Sequence, residues 1–273
     1  MKVLVTGATG TTARALIPVL DGLGAEVVAA SRRPGPGRGV RFDWYDPGGH
    51  DAALDGVDRV YLVPPPLDAD PVEAMGPFLE RAHRRGVRRA VLLGASAVPT
   101  GGPVVGRVAR MVLEVFDEAV VLRPSWFMQN FVGDHPHATG FREQGAIATA
   151  TEGGRVGFVD ARDIAAVAAH ALTGAEPVER EPVLTGPEAL GYDEVAAIYG
   201  EVTGREVVHE SLEPGDVERA LAAAMPVEVA RMLVRLDGLI ASGAEDRVTD
   251  TVERITGRPP GDLRTVLRRD LRP

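Results

Sequence analysis

The chain has 273 residues, 45% hydrophobic and 25% charged, enough to bury roughly three quarters of its unfolded surface in one or two cores without staples. The absence of cysteine excludes a disulfide framework, a thiolate zinc site, an iron–sulfur cluster and a cysteine nucleophile. A net charge of −9, with the arginines spread out rather than gathered into a tract, argues against a nucleic-acid binder.

Residues 2–6 form a short apolar strand, followed by the glycine turn Gly7-Ala8-Thr9-Gly10-Thr11-Thr12-Ala13 and an amphipathic helix over 14–23. A second strand over 26–30 closes on Ser31-Arg32-Arg33, and a short third strand over 40–42 leads into Asp43-Trp44-Tyr45-Asp46. Helix 51–54, strand 59–63, helix 70–85 and strand 89–93 follow, the last running into Gly94-Ala95-Ser96. After a helix over 107–116, strand 119–122 feeds the aromatic run 126–131. Segments 145–150 and 155–159 read as a small β pair, Asp163 as the cap of a helix over 164–172, and 182–185 as a last strand. Beyond residue 187 the pattern is mainly helical, over 192–200, 214–224, 227–241, 248–256 and 262–269. This βαβαβ alternation implies an α/β fold, a doubly wound parallel Rossmann sheet with a smaller, mainly helical C-terminal substrate lobe. The expected domains are a nucleotide-binding core, 1–125 with 158–186 returning to it, and a lobe made of 126–157 and 187–273.

No apolar run reaches the roughly 18 residues of a membrane span, and the start has no cationic leader, so a cytoplasmic protein without a membrane segment is expected. Gly7-x-x-Gly10-x-x-Ala13 lies between the first strand and the first helix, where small residues let the backbone approach a pyrophosphate held by free N–H groups and the helix dipole. An NAD-selective site closes the second strand with an acidic residue; here Ser31-Arg32-Arg33 stands there, and guanidinium groups grip a 2′-phosphate, so the cofactor expected is NADPH/NADP+. Lys2 is the only lysine, so none of the four tyrosines (Tyr45, Tyr61, Tyr192, Tyr199) has the lysine four residues on that assists carbonyl protonation in short-chain reductases. Ser96 is the remaining candidate to hydrogen-bond a substrate heteroatom. Trp126, Met128 and Gln129 are candidates to wall and orient a flat apolar substrate. His135 and His137 lack a clustered third ligand, so no metal is expected, and helix 227–241 reads as core or as a dimer face. The chain is expected to be a monomer or homodimer.

Gly7-Ala8-Thr9-Gly10, Phe42-Asp43-Trp44, Tyr61-Leu62-Val63-Pro64, Val91-Leu92-Leu93-Gly94-Ala95-Ser96 and Leu122-Arg123-Pro124-Ser125-Trp126-Phe127-Met128-Gln129-Asn130-Phe131 resemble the NmrA-like atypical short-chain dehydrogenase/reductases. The sequence is similar in particular to their ergot-alkaloid branch, the agroclavine and festuclavine dehydrogenases, and the likeness continues through 186–190 and 256–260. The resemblance implies an NADPH-dependent oxidoreductase that delivers hydride to a cyclic iminium. It places Gly7, Thr9, Gly10, Thr11 and Thr12 at the pyrophosphate, Ser31 and Arg32 at the 2′-phosphate, Asp43 and Trp44 on the adenine side, and Pro64 and Ala95 on the nicotinamide side. Two departures leave the substrate open: Gly94 stands where the branch commonly has serine, and the segment around 106–117 is shortened.

Adding hydride to an iminium neutralises a charge and needs no proton donor, whereas reducing a ketone builds an alkoxide that needs one. Without a Tyr/Lys pair the expected substrate is therefore a small apolar molecule bearing a cyclic imine or iminium, or a related carbonyl or enone, and the negative net charge favours a cation's approach. Two other readings share the glycine turn: a non-catalytic redox sensor of NmrA type that reports the NADP+/NADPH ratio, and an NADPH quinone reductase.

Overall fold

Three of the four residues of Lys2–Val5 (β1) are buried in succession, as befits a strand inside a parallel sheet covered on both faces. The chain continues through Thr11–Gly22 (α1), Glu26–Ser31 (β2), Gly39–Arg41 (β3), His50–Ala53 (α2), Arg59–Leu62 (β4) and Pro71–Arg84 (α3). Arg89–Leu93 (β5), Val105–Val115 (α4), Glu118–Pro124 (β6), Pro136–Thr139 (α5), Ala146–Thr149 (β7), Arg155–Val156 (β8) and Ala161–Thr173 (α6) follow. The remainder is Val183–Leu184 (β9), Leu190–Gly191 (β10), Tyr192–Thr203 (α7), Val208–Ser211 (β11), Pro214–Ala222 (α8), Val227–Ala241 (α9), Thr251–Thr256 (α10) and Leu263–Asp270 (α11). The computed structural model describes residues 1–66, 68, 70–175 and 178–271; positions 67, 69, 176, 177, 272 and 273, all within the expected domain spans, lie outside the described residues.

Seven parallel strands form one sheet in the order β3-β2-β1-β4-β5-β6-β9, with Leu4 opposite both Val28 and Val60. The chain winds outward from β1 to β3 and then crosses back to β4, so the order reverses between β1 and β4, the switch point at which open α/β sheets bind ligands. Phe78 of α3 and Val108 and Val112 of α4 pack on Leu4, Val60, Leu62 and Leu92 in one core. Helices α1 and α6 pack on each other, and α6 runs along β4, β5 and β6. Among the described residues no helix is long and apolar enough to cross a membrane.

The chain is organised as two compact units. Unit 1 comprises Met1–Pro124, Ala161–Leu184 and Thr251–Gly257, and unit 2 comprises Ser125–Asp160, Thr185–Asp250 and Arg258–Pro273. Unit 2 has its own core around Phe131, Phe141, Phe158 and Tyr192.

Three local expectations are corrected. Segments 145–150 and 155–159 do not pair with each other: β7 runs parallel to β11, and β8 runs antiparallel to β10. The alternation in both segments was real, but it marks two edges that find partners far along the chain rather than a hairpin. Asp163 does not cap its helix, because α6 already begins at Ala161 and Asp163 is buried in its first turn. Helix α1 starts at Thr11, three residues early, because Gly10 takes the extended N-cap conformation itself.

Candidate functional site

The glycine turn leaves β1 at the switch point. Gly7 has φ +60°, and a Cβ there would lie 3.2 Å from the Val63 side chain, so both conformation and space require glycine. The Thr6 hydroxyl donates to Tyr61 O at 3.1 Å and accepts the Val63 N–H at 2.8 Å, fixing the turn against the end of β4. At the start of α1, Gly10 offers no side-chain acceptor and the first turn holds no acidic residue, while Thr9, Gly10 and Thr11 are exposed. Free N–H groups at the positive end of a helix suit a pyrophosphate. Thr12 differs: its side chain is buried, and its hydroxyl accepts a hydrogen bond from Tyr61 at 3.1 Å. The Tyr61 phenol, pushed up by burial, is committed inside the core.

Ser31 ends β2 and is buried, and its carbonyl accepts the Phe42 N–H at 2.9 Å. Arg32 and Arg33 follow it, exposed and without an ion pair among the described residues. Trp44 packs edge-on against Phe42 and Phe78, with ring centroids at 4.8 and 5.2 Å, and its Nε1–H donates to Val63 O at 3.1 Å. Val63 thus joins the glycine turn, the Thr6 hydroxyl and the Trp44 indole, a hub that an unremarkable valine in the sequence does not announce. The Asp43 carboxylate accepts the Tyr45 N–H at 3.1 Å, and its carbonyl accepts from His50 at 2.8 Å, so Asp43 braces the bend that carries Trp44. Beside the indole opens a cleft of about 430 Å³ lined by Trp44, Tyr45, Asp68, Asp70, Glu73 and Pro77. Tyr45 donates to Asp68 at 2.6 Å, and that bond pushes its phenol up to about 12.

Pro64 and Ala95 lie half-buried just past the ends of β4 and β5. Ser96 is buried; its N–H donates to Pro124 O at 2.8 Å, and its carbonyl accepts from Arg123 at 2.9 Å. A Cβ at Gly94 would lie 2.8 Å from Leu122 O, so the serine common in the resembling branch has no room here. In the loop before α4, Val104 takes φ +51°, a strained conformation for a β-branched residue.

The aromatic run lies in unit 2. Trp126 is half-buried against the core of that unit, whereas Met128 is 1% exposed within the core and offers no open wall. The Gln129 amide donates to Asp160 at 2.8 Å, and Asp160 is clamped in turn by Arg269 at 2.7 Å. The side chain of Gln129 is thus held in one orientation by a buried ionic network. Sequence reasoning missed His209, Asp193 and Asp237, which stand with His137 and Tyr192 in the same unit; only the His135-x-His137 spacing hinted at them.

No protein-family profile matches the chain. The oxidoreductase YesF of Bacillus subtilis is 41% identical over 265 residues, covering 96% of this chain and 92% of that protein. Agroclavine dehydrogenase of Claviceps fusiformis is 36% identical over 273 residues, covering 95% of this chain and 94% of the enzyme. Among solved structures, the NADPH-dependent quinone oxidoreductase QOR2 of Escherichia coli, complexed with NADPH, superposes with a TM-score of 0.81 at 20% identity, covering 99% of this chain and 100% of that one. At that identity the superposition establishes the shared fold, and the relatives establish the lineage: the chain belongs to the oxidoreductase family of the agroclavine and festuclavine dehydrogenases.

Proposed function

We propose that the protein is an NADPH-dependent oxidoreductase that reduces an apolar cyclic imine or iminium. One observation carries the cofactor half: an acceptor-free helix start behind a left-handed glycine, followed at the end of β2 by two exposed arginines with no partner among the described residues. The residues fit the dinucleotide. The backbone of Gly7, Thr9, Gly10, Thr11 and Thr12 would hold the pyrophosphate, and Ser31 and Arg32 the 2′-phosphate, with Asp43 and Trp44 on the adenine side and Pro64 and Ala95 on the nicotinamide side. The superposed quinone oxidoreductase, which was crystallised with NADPH, supports this choice. When bound, the cofactor supplies hydride.

The residues of the chain point to the acceptor. Tyr61 spends its hydroxyl on Thr12, and the only lysine is Lys2, so no Tyr/Lys acid stands at the sheet edge. An acceptor that already carries positive charge needs no such acid. The agroclavine dehydrogenases among the relatives support a small apolar substrate. Substrate recognition is assigned to unit 2, with Trp126 as an apolar face and Gln129 as a fixed polar contact, while Ser96 positions a heteroatom.

The test is direct. Purified protein should melt higher with NADPH than with NADH, and should oxidise NADPH in the presence of a cyclic iminium faster than with a saturated ketone. Equal shifts with both nucleotides would remove the arginine assignment, and NADPH oxidation by a quinone alone would move the reading to a quinone reductase.

A further inference from the structure

Helix α9 carries an apolar stripe that the interior of unit 2 does not use. Of its 15 residues only Ala230 and Ile240 are buried, and they mark the side that faces inward. Arg231 reaches Glu218 of α8 at 2.9 Å, which places α8 along one flank. At about 100° per residue, Val229, Met232, Leu236 and Leu239 fall together on the opposite flank. Each is half-buried or exposed, and none of the four is among the side chains that form or pack against the core around Phe131 and Phe158. Their 3–4–3 spacing is that of a coiled-coil seam.

Two charges border this stripe on its solvent side. Glu228 and Arg235 are exposed, and their side chains form neither an ion pair nor a hydrogen bond with any described residue. They stand two helical turns apart, one residue ahead of Val229 and of Leu236. A face with opposite charges at its two ends is complementary to an antiparallel copy of itself, which a two-fold axis supplies. With Val229 opposite the partner's Met232, and Met232 opposite the partner's Val229, Glu228 comes beside the partner's Arg235 and Arg235 beside the partner's Glu228. A shift of one heptad in either direction sets Arg235 against the partner's Arg235, or Glu228 against the partner's Glu228, and these pairs repel. Parallel helices would set both charges beside Leu233 or Ile240. One register therefore pairs unlike charges, and it does so twice.

We propose that this flank of α9 is the docking surface for a second copy of the chain, packed antiparallel across a two-fold axis on Val229, Met232 and Leu236. The seam supplies the apolar contact, and the Glu228–Arg235 pairs select the register. A helix of 15 residues is about 22 Å long, so the contact lies at the small end of specific interfaces, and the dimer dissociates at roughly micromolar concentrations. The pairing uses no residue assigned to cofactor or substrate, so it stands or falls apart from the proposed reaction.

Sedimentation velocity on the full chain at low salt, from about 1 to about 300 µM, tests it. Wild type should pass from monomer to dimer within this range. Glu228→Arg and Arg235→Glu each create two like-charged contacts, and each should weaken the dimer about tenfold or more. The double variant, with both charges exchanged, should return to within about threefold of wild type, and an equimolar mixture of the two single variants should form a heterodimer. Both positions are exposed, so circular dichroism and melting of the variants should match wild type at concentrations where all are monomeric. A chain that stays monomeric throughout leaves the stripe to another occupant and overturns the proposal. So does a dimer that neither charge reversal weakens, or that the double variant fails to restore, because it is then built on another surface.

Discussion

The glycine turn of unit 1 and the histidine–carboxylate cluster of unit 2 are built in opposite ways. The turn is a continuous stretch whose work is done by backbone: Gly7 at φ +60°, an N-cap with no side chain and exposed N–H groups. The cluster takes side chains from five separate elements and uses almost no backbone beyond the Ala150 N–H. The first is set by peptide dipoles, which suit phosphates; the second is set by how charged and aromatic side chains pack. A fold can keep the former wherever a strand feeds a helix, while the latter depends on how distant segments pack.

Substitutions can separate the two regions. The largest effect is expected from Gly7→Val, which forces a β-branched residue into a left-handed conformation against Val63; NADPH affinity by titration should fall more than about a hundredfold, with a loss of roughly 1–3 kcal/mol in stability. Gly94→Ser should cost roughly 1–3 kcal/mol in denaturant unfolding by pressing on Leu122 O. Arg32→Ala should reduce the preference for NADPH over NADH roughly tenfold or more, measured as the ratio of the two Kd values, with NADH affinity unchanged.

A last effect belongs to His137 and is confined to acid. Its folded value of about 3 lies below that of the unfolded chain, so the unfolded state binds the extra proton, and stability present above about pH 6.5 is lost as pH falls toward 3. At pH 5 His137→Phe should exceed wild type by on the order of 2 kcal/mol, relative to their difference at pH 7.5. Parallel melting curves at both pH values would break this assignment.

The same contrast explains what could be read from residues alone. The parallel sheet was legible because each strand is a buried apolar run followed by a turn signal, and the glycine turn because its spacing is local. The pairings of β7 and β8 were not, since alternation marks a strand without naming its partner, and β11, with only His209 half-buried, carries almost no apolar signal. The burial of Thr12, whose hydroxyl accepts from Tyr61, was not legible either, and Met128 looked like a pocket wall until the core of unit 2 closed over it. Asp237 was invisible for a related reason: one acidic residue on an amphipathic helix is ordinary, and only the Ala150 N–H and the absence of any ion-paired guanidinium among the described residues set it apart.

The two tryptophans are divided between the units, Trp44 with its indole tied to Val63 beside the cleft and Trp126 against the core of the other unit. Each unit therefore carries its own fluorophore. Trp126→Phe would leave an emission signal that reports nucleotide arrival alone, and Trp44→Phe one that reports only events in unit 2, so the order in which two ligands bind could be followed by stopped-flow without a label.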